Sequence, residues 1–178
     1  MFIFFTVLIV AISLSMDTFS LSLSYGLFNI AKRDILIISL CVGAFHFFMP
    51  LLGSVLGNMI FSFIVIDEKK IIGIIFLTIS IDLLLSFLKE KEINPIKNKI
   101  DILLFSFTVS IDSFATGTCL EVFEINKYYV VSIFMIISFL FTYLGLSMGH
   151  KLHNKIGRYA EIIGLSLLIT LSIFYLVY

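Results

Sequence analysis

Long apolar stretches separated by short polar segments run the whole length of this 178-residue chain. Each stretch is close to the ~20 residues that an α-helix needs to cross a bilayer. Two are especially clear, because Asp, Glu, Lys and Arg are absent from Ile35 to Ile66 and from Tyr128 to Gly149. The pattern predicts an all-α membrane protein with six transmembrane helices, over residues 3–27, 35–60, 71–88, 102–121, 128–149 and 159–178.

The six predicted helices fall into two similar halves of three. The longest polar connection, around Pro95, separates the halves, and the first span of each half carries Ser-x-Asp-[Thr/Ser]-Phe, with carboxylates at Asp17 and Asp112. Because three is odd, the second half must enter the membrane from the opposite side, as in the inverted repeats of secondary transporters. The sequence therefore predicts one transmembrane transporter domain, residues 1–178, with repeat one at 1–90 and repeat two at 100–178.

A Gly-x-x-x-Gly pair occurs in the second span of each half. Gly53 and Gly57 form the first pair, and Gly145 and Gly149 form the second. Small residues at this spacing let the backbones of two membrane helices approach closely. We expect these glycines to pack helices together and not to bind a ligand.

The composition excludes several classes of protein. Hydrophobic residues make up 60% of the chain and charged residues only 13%, whereas a soluble domain carries about 25% charged residues. The net charge is zero and there is no basic stripe, so nucleic acid is not an expected partner.

Nine of the twelve Lys and Arg residues lie in the first, third and fifth connections. The positive-inside rule therefore places both termini outside the cell.

Two carboxylates lie deep inside predicted spans. Asp17 is the only charged residue from Met1 to Ala31, and Asp112 has ten uncharged residues before it and eight after it. An Asp at the centre of a membrane helix costs about 2.5–3.5 kcal/mol, and it usually faces the bundle interior or a wet cavity. The repeat would bring the two to similar depth, where they would share a proton or hold a cation. The alternative is that they act as polar contacts between helices.

Further oxygen and nitrogen ligands lie near these carboxylates in the sequence. Hydroxyls occur about one helical turn away on either side, at Ser13, Ser20, Thr108 and Thr116. Oxygen-rich sites suit Mg²⁺, Ca²⁺ or Mn²⁺, although such hydroxyls often bond to their own backbone. His46 in the second span is a third candidate metal ligand, because an imidazole would favour a transition metal. The alternative is a structural, hydrogen-bonded histidine.

Asp82 in the third span is a further acidic residue without an acidic counterpart in the sixth span. It has two interpretations. It either contributes to an ion pathway or turns toward the nearby cytoplasmic face.

Four sequence blocks resemble the bacterial manganese efflux pump family: Ser-Met-Asp-Thr-Phe (15–19), Gly-Ala-Phe-His-Phe-Phe-Met-Pro-Leu-Leu-Gly (43–53), Ser-Ile-Asp-Ser-Phe-Ala-Thr-Gly (110–117) and Gly-Arg-Tyr-Ala-Glu-Ile-Ile-Gly-Leu (157–165). The resemblance runs nearly end to end. It implies six spans with both termini outside, export of Mn²⁺, and the family's two intramembrane aspartates at Asp17 and Asp112. His46 stands where the family commonly has Gln or Glu.

Taken together, the residues and the resemblance predict a secondary transporter in the bacterial inner membrane that exports divalent metal cations, with Mn²⁺ as the leading candidate. We expect a metal site of Asp17, Asp112 and His46, proton exchange through the aspartate pair, no cofactor and no enzymatic activity. Two alternatives stay open. The first is a structural or sporulation-associated membrane protein, since Ser-Leu-Ser-Tyr-Gly-Leu (22–27) is similar to such a group. The second is an intramembrane aspartyl protease, although neither Asp lies in Tyr-Asp or Gly-x-Gly-Asp.

Overall fold

The computed structural model describes residues 2–28, 30–61, 68–88, 96, 98–118, 120, 126–149 and 155–177. Within these residues the chain is helical and contains no strand, which confirms the predicted all-α class. A short 3₁₀ turn, Gly26–Phe28, extends the first helix. The helices are α1 (Phe2–Tyr25), α2 (Lys32–Phe61), α3 (Glu68–Leu88), α4 (Lys99–Thr108), α5 (Ile111–Gly117), α6 (Lys127–Met148) and α7 (Lys155–Val177).

Four helices in the described ranges are long and apolar enough to cross a bilayer, and the bent pair α4 and α5 would make a fifth. The helix α3 occupies the predicted third span but is not among these. Large apolar side chains are exposed along the outer faces of the helices, for example Leu52, Met59, Leu104 and Ile136. Such faces suit a lipid environment, so the chain has the architecture of a multi-pass membrane protein.

The predicted fourth span, 102–121, is a broken helix and not the single continuous one that we expected. Helices α4 and α5 meet at an angle of 40°. Neither Pro nor Gly stands at the break. Instead, the Ser110 N–H bonds to the Phe107 carbonyl at 3.1 Å, and the Ser110 hydroxyl donates to the same oxygen at 2.9 Å. The Ser113 hydroxyl then donates to the Ser110 carbonyl at 2.6 Å. These local bonds compete with the regular helical ladder and stabilise the bend.

Helix α1 packs against α6 and α7, α2 packs against α6 and against the pair α4 and α5, and α3 packs against α7. Helices α1 and α6 run parallel, because the Ser15 and Ser138 hydroxyls lie 3.0 Å apart and Gly26 lies beside Gly149 further along both helices. Helix α7 runs antiparallel to α1, because Gly164 contacts Ser13 and Met16 while the far end of α7 reaches the start of α1. There, the Tyr175 hydroxyl donates to Thr6 Oγ1 at 3.5 Å.

The second Gly-x-x-x-Gly pair forms a close backbone contact between α6 and α1. A Cβ on Gly145 would lie 2.6 Å from the Ser22 Cβ and 2.9 Å from the Phe19 carbonyl oxygen. A Cβ on Gly149 would collide with the Leu23 carbonyl oxygen. We call this contact the α1–α6 seam. It confirms the predicted packing role of these glycines.

The first Gly-x-x-x-Gly pair forms the corresponding contact between α2 and α5. A Cβ on Gly53 would collide with the Phe114 carbonyl oxygen and would lie 3.1 Å from the Gly117 Cα. A Cβ on Gly57 would collide with the Thr118 carbonyl oxygen just beyond α5. We call this contact the α2–α5 seam. It too confirms the predicted packing role.

Candidate functional site

A cavity of about 460 Å³ lies between α1, α3, α7 and the broken pair α4 and α5. Its walls are mostly apolar, with Leu14, Leu83 and Leu168 among them. No Lys, Arg or His of the described ranges lines it. The polar side chains that reach it are Ser13, Asp17, Tyr25, Asp82, Thr108 and Asp112.

Asp17 from α1 and Asp112 from α5 both line this cavity, and each is half-buried. The two helices approach from opposite chain directions. The Tyr25 ring near the end of α1 contacts the Phe105 ring in the middle of α4, with centroids 4.8 Å apart. Asp17 and Asp82 are both close enough to Asp112 to interact with it electrostatically. The structure therefore brings the two sequence-predicted carboxylates together.

The break between α4 and α5 positions Asp112. The carboxylate lies in the first turn of α5, where its Oδ1 accepts a hydrogen bond from the Ser113 N–H at 2.8 Å. Thr108 and Val109, on the other side of the break, line the same cavity. Helix α1 is continuous past Asp17. The first carboxylate therefore lies within an unbroken helix, whereas Asp112 follows a helix break.

The four hydroxyls near the carboxylates behave differently from one another. Ser13 and Thr108 line the cavity, whereas Ser20 and Thr116 are not among its lining residues. The Ser13 hydroxyl donates to the carbonyl one turn earlier at 2.8 Å, and the Thr116 hydroxyl donates to the Asp112 carbonyl at 3.2 Å. These two follow the expected preference for bonding to their own helix backbone.

Asp82 faces the cavity, flanked by Ile79 and Leu83 of the same helix. Its side chain is exposed, whereas Asp17 and Asp112 are half-buried. The sequence did not predict which way the Asp82 side chain points. In the structure it is a third carboxylate that lines the cavity.

His46 does not line this cavity. It is fully buried in α2, and its Nδ1–H donates to the Val42 carbonyl at 3.0 Å. Its Nε2 has no hydrogen-bond partner within the part of the chain that the structure describes. With Nδ1 engaged in this bond, Nε2 is the ring nitrogen left for another partner. Its role as a metal ligand stays a prediction.

No three His, Cys, Asp or Glu side chains among the described residues lie close enough together to chelate a metal ion. The carboxylates instead surround a chamber that is much larger than one ion.

Sequence reasoning did not single out two polar features of the interior. Glu161 of α7 is buried. Its position inside the predicted span 159–178 was the signal by which the sequence could have identified it. The Ser15 and Ser138 hydroxyls are hydrogen-bonded between α1 and α6, and only the fold could pair two serines so distant in sequence.

The family model described as "Putative manganese efflux pump" matches residues 29–176 of this chain. Similar proteins carry the name "Putative manganese efflux pump MntP". The one from Bacillus mycoides (strain KBAB4) is 34% identical over 172 residues, covering 95% of this chain and 93% of the relative. The one from Geobacillus thermodenitrificans (strain NG80-2) is 30% identical over 166 residues, covering 93% and 91%. The one from Bacillus pumilus (strain SAFR-032) is 29% identical over 171 residues, covering 94% and 92%.

No solved structure matches the chain. The family match and the relatives span nearly all of it, which confirms the resemblance that the four sequence blocks indicated. The chain therefore belongs to the manganese efflux pump family, whose members are membrane transporters and not enzymes.

Proposed function

We propose that this protein exports Mn²⁺ across the bacterial cell membrane in exchange for protons, and that Asp17 and Asp112 carry both kinds of ion. The observation that carries the proposal is that these two carboxylates line one cavity in a member of the manganese efflux pump family.

The chemistry of the cavity favours a divalent cation. The described lining places Asp17, Asp82 and Asp112 among mostly apolar side chains, and intramembrane carboxylates of this kind typically mark ion pathways. Carboxylate and hydroxyl oxygens are ligands that Mn²⁺ accepts. We include His46 as a nitrogen ligand for the same ion along its path, because its Nε2 lone pair is free of protein partners in the described part of the chain.

Export must overcome the membrane potential. Moving two positive charges outward against 100 mV costs about 4.6 kcal/mol, before any concentration difference. Two carboxylates can couple export to proton entry, because they bind the metal when they are ionised and release it when protons bind from outside. Exchange of two protons for one Mn²⁺ moves no net charge. The proton gradient then drives export without opposition from the voltage.

The proposed architecture has six crossings arranged as two inverted repeats in one domain, with repeat one at 1–90 and repeat two at 100–178. Helix α3 has 21 residues, which gives a length of about 31 Å, enough for a hydrocarbon core of about 30 Å. The parallel pair α1 and α6 and the antiparallel pair α1 and α7 agree with helices that alternate in direction. In that arrangement both termini lie on the same side, which the distribution of Lys and Arg assigns to the outside.

The two seams support the inverted repeat. Gly145 of the α1–α6 seam meets the residues two and five positions after Asp17. Gly53 of the α2–α5 seam meets the residues two and five positions after Asp112. The same offsets from the two aspartates are expected if a two-fold axis relates the halves.

Growth of a manganese-sensitive bacterial strain that lacks its own exporter tests the proposed function. The strain would carry either this chain or an empty vector, and growth would be measured across Mn²⁺, Cd²⁺, Ca²⁺ and Zn²⁺. We expect the chain to raise the tolerated Mn²⁺ concentration most strongly and to lower the cellular Mn²⁺ content. Equal tolerance and equal Mn²⁺ content in the two strains, with the protein present in the membrane, would contradict the proposal.

A further inference from the structure

The two halves of the chain hold equivalent serines in different ways. Ser15 and Ser110 each stand two residues before the aspartate of their half. Helix α1 runs unbroken through Ser15, whose hydroxyl lies 3.0 Å from the hydroxyl of Ser138 on α6. In the second half the helix breaks at Ser110, whose hydroxyl donates to the Phe107 carbonyl of its own segment at 2.9 Å. One serine therefore bonds to a neighbouring helix and the other to its own backbone.

Three buried side-chain atoms have no hydrogen-bond partner within the part of the chain that the structure describes: Thr18 Oγ1, Ser22 Oγ and His46 Nε2. All three residues are fully buried. An unpaired polar group in a protein interior is costly, so each one calls for an explanation. Thr18 and His46 are informative, because the residue at the equivalent position of the other half is bonded.

Thr18 is the counterpart of Ser113, since each directly follows the aspartate of its half. The Ser113 hydroxyl donates to the Ser110 carbonyl at 2.6 Å and stabilises the break. Helix α1 has no break at this position, and Thr18 has no corresponding bond. The Thr18 hydroxyl would gain that bond, to the Ser15 carbonyl, if α1 broke at Ser15.

His46 is the counterpart of Ser138, since each stands seven residues before the first glycine of the Gly-x-x-x-Gly pair in its half. Ser138 is hydrogen-bonded to the serine of the unbroken helix. The Phe45 ring, next to His46, contacts the Phe107 ring just before the break, with centroids 6.1 Å apart. If α4 and α5 joined into one straight helix, the Ser110 hydroxyl would meet His46 Nε2, just as its counterpart in α1 meets Ser138.

We propose that Ser15 and Ser110 are positioning residues that exchange these arrangements during transport, so that α1 breaks at Ser15 while α4 and α5 straighten. This inference rests on the proposed function, because it uses the inverted repeat. When a two-fold axis in the membrane plane relates two halves, exchanging their conformations gives a second state that opens to the opposite side. In that state the Thr18 hydroxyl and His46 Nε2 both acquire partners.

The present state opens toward the cytoplasm in the proposed orientation. The cavity extends along α1 from Ser13 to Tyr25, the last residue of that helix, and this end adjoins the first connection. Leu21 belongs to the lining. Its counterpart Thr116, which likewise stands four residues after the aspartate of its half, is buried. The second state should reverse this difference, so that Thr116 becomes accessible from outside while Leu21 closes.

Removal of single hydroxyls tests the exchange, because each one stabilises only one state. Thr18→Val removes a hydroxyl that is bonded only in the second state, so it favours the cytoplasm-facing state. Ser113→Ala removes a bond of the present break and favours the outward-facing state. We expect the two variants to shift the ratio of the states about fivefold in opposite directions, which corresponds to about 1 kcal/mol for one hydrogen bond.

Ser106→Ala is the matched control. Ser106 is fully buried in α4, and its hydroxyl donates to the Ile102 carbonyl of the same helix at 2.8 Å. This bond lies before the break and is present in both states. Its loss should leave their ratio unchanged.

The measurement labels single cysteines in membrane vesicles of known orientation, using a small cationic thiol reagent that does not cross the bilayer. Leu21→Cys reports access from the cytoplasm and Thr116→Cys reports access from outside, in a chain whose Cys41 and Cys119 are replaced by Ala. Each variant is first checked for a monodisperse protein after extraction. Thr18→Val should raise labelling at the first site and lower it at the second.

The reverse shift is expected for Ser113→Ala, and no shift for Ser106→Ala. Shifts in the same direction in Thr18→Val and Ser113→Ala, or no shift in either, would overturn the inference, because a merely structural hydroxyl favours neither side. Absence of outside labelling at Thr116→Cys in every variant would overturn it too. The labelling needs no Mn²⁺, so opposite shifts in a chain that confers no Mn²⁺ resistance would support the exchange while the proposed export fails.

Discussion

The ring of Tyr25 packs edge-on against the ring of Phe105, with centroids 4.8 Å apart and an interplanar angle of 63°. This contact joins α1 to α4 in opposite chain directions. Asp17 lies eight residues before Tyr25, and Asp112 lies seven residues after Phe105. These nearly equal offsets along two antiparallel segments bring the two carboxylates to about the same level, so the aromatic pair fixes the register of α1 against α4.

Replacing Phe105 with Ala should loosen this geometry. Phe105 is buried, and removal of a buried aromatic ring typically destabilises a protein by about 3–5 kcal/mol. We expect Phe105→Ala to lower both the thermal midpoint of the purified protein and its Mn²⁺ transport. Phe105→Leu, which keeps most of the apolar volume, serves as the control and should retain more of both. Full transport by Phe105→Ala would show that the ring contact does not position the carboxylates.

Neutralising either aspartate of the pair should abolish resistance to Mn²⁺. Asp17→Asn and Asp112→Asn each keep the side-chain shape but remove one of the two anionic charges that oppose the cation. We expect the affinity for Mn²⁺ to fall at least ~100-fold, which corresponds to about 2.8 kcal/mol. Growth of the exporter-deficient strain on Mn²⁺ measures the effect, with membrane insertion checked for each variant. Wild-type resistance in either inserted variant would exclude that carboxylate from the site.

Filling the seams should destabilise the bundle. Gly57→Ala would force a methyl group against the Thr118 backbone, and Gly149→Ala would force one against Leu23. Overpacking of this kind costs about 1–3 kcal/mol. Gly43→Ala is the matched control, since its new methyl group would approach no atom closer than 3.2 Å. Thermal unfolding in detergent should rank the control as the most stable of the three, and equal midpoints would argue against close backbone contact at the seams.

Replacing His46 with Gln should preserve transport and change the metal preference. An amide replaces the softer imidazole nitrogen, so discrimination in favour of transition metals over Ca²⁺ and Mg²⁺ should weaken. Competition of these cations against Mn²⁺ uptake measures the preference. An unchanged profile would assign His46 a structural role, consistent with its hydrogen bond to Val42.

Much of the fold follows from the order of residues. Apolar runs locate the helices because a bilayer needs long apolar segments, and the repeated Ser-x-Asp motif singled out the two carboxylates that the fold brings into one cavity. The paired glycines predicted the two seams, because small residues are needed where two helix backbones come into contact.

Other features depend on contacts that sequence does not reveal. The break after Thr108 has no Pro or Gly to mark it, and it is stabilised by serine hydroxyls that bond locally. Gly164 packs against Ser13 of α1 and Gly73 packs against Leu176 of α7, and the sequence does not show which helix each of these glycines meets. The direction of a side chain such as Asp82 depends on how its helix is rotated, which is set by packing against α7.

Transport in sealed vesicles tests most directly whether Mn²⁺ moves in exchange for protons at the aspartate pair. The purified protein would be reconstituted in proteoliposomes with a pH-sensitive dye inside, at a voltage clamped to zero. The account predicts that an imposed pH gradient drives Mn²⁺ movement, that protons move in the opposite direction, and that both fluxes vanish in Asp112→Asn. Mn²⁺ flux that ignores the pH gradient, and that follows an Na⁺ gradient or, in a parallel run, an imposed voltage, would contradict proton exchange, and undiminished flux in Asp112→Asn would contradict the site.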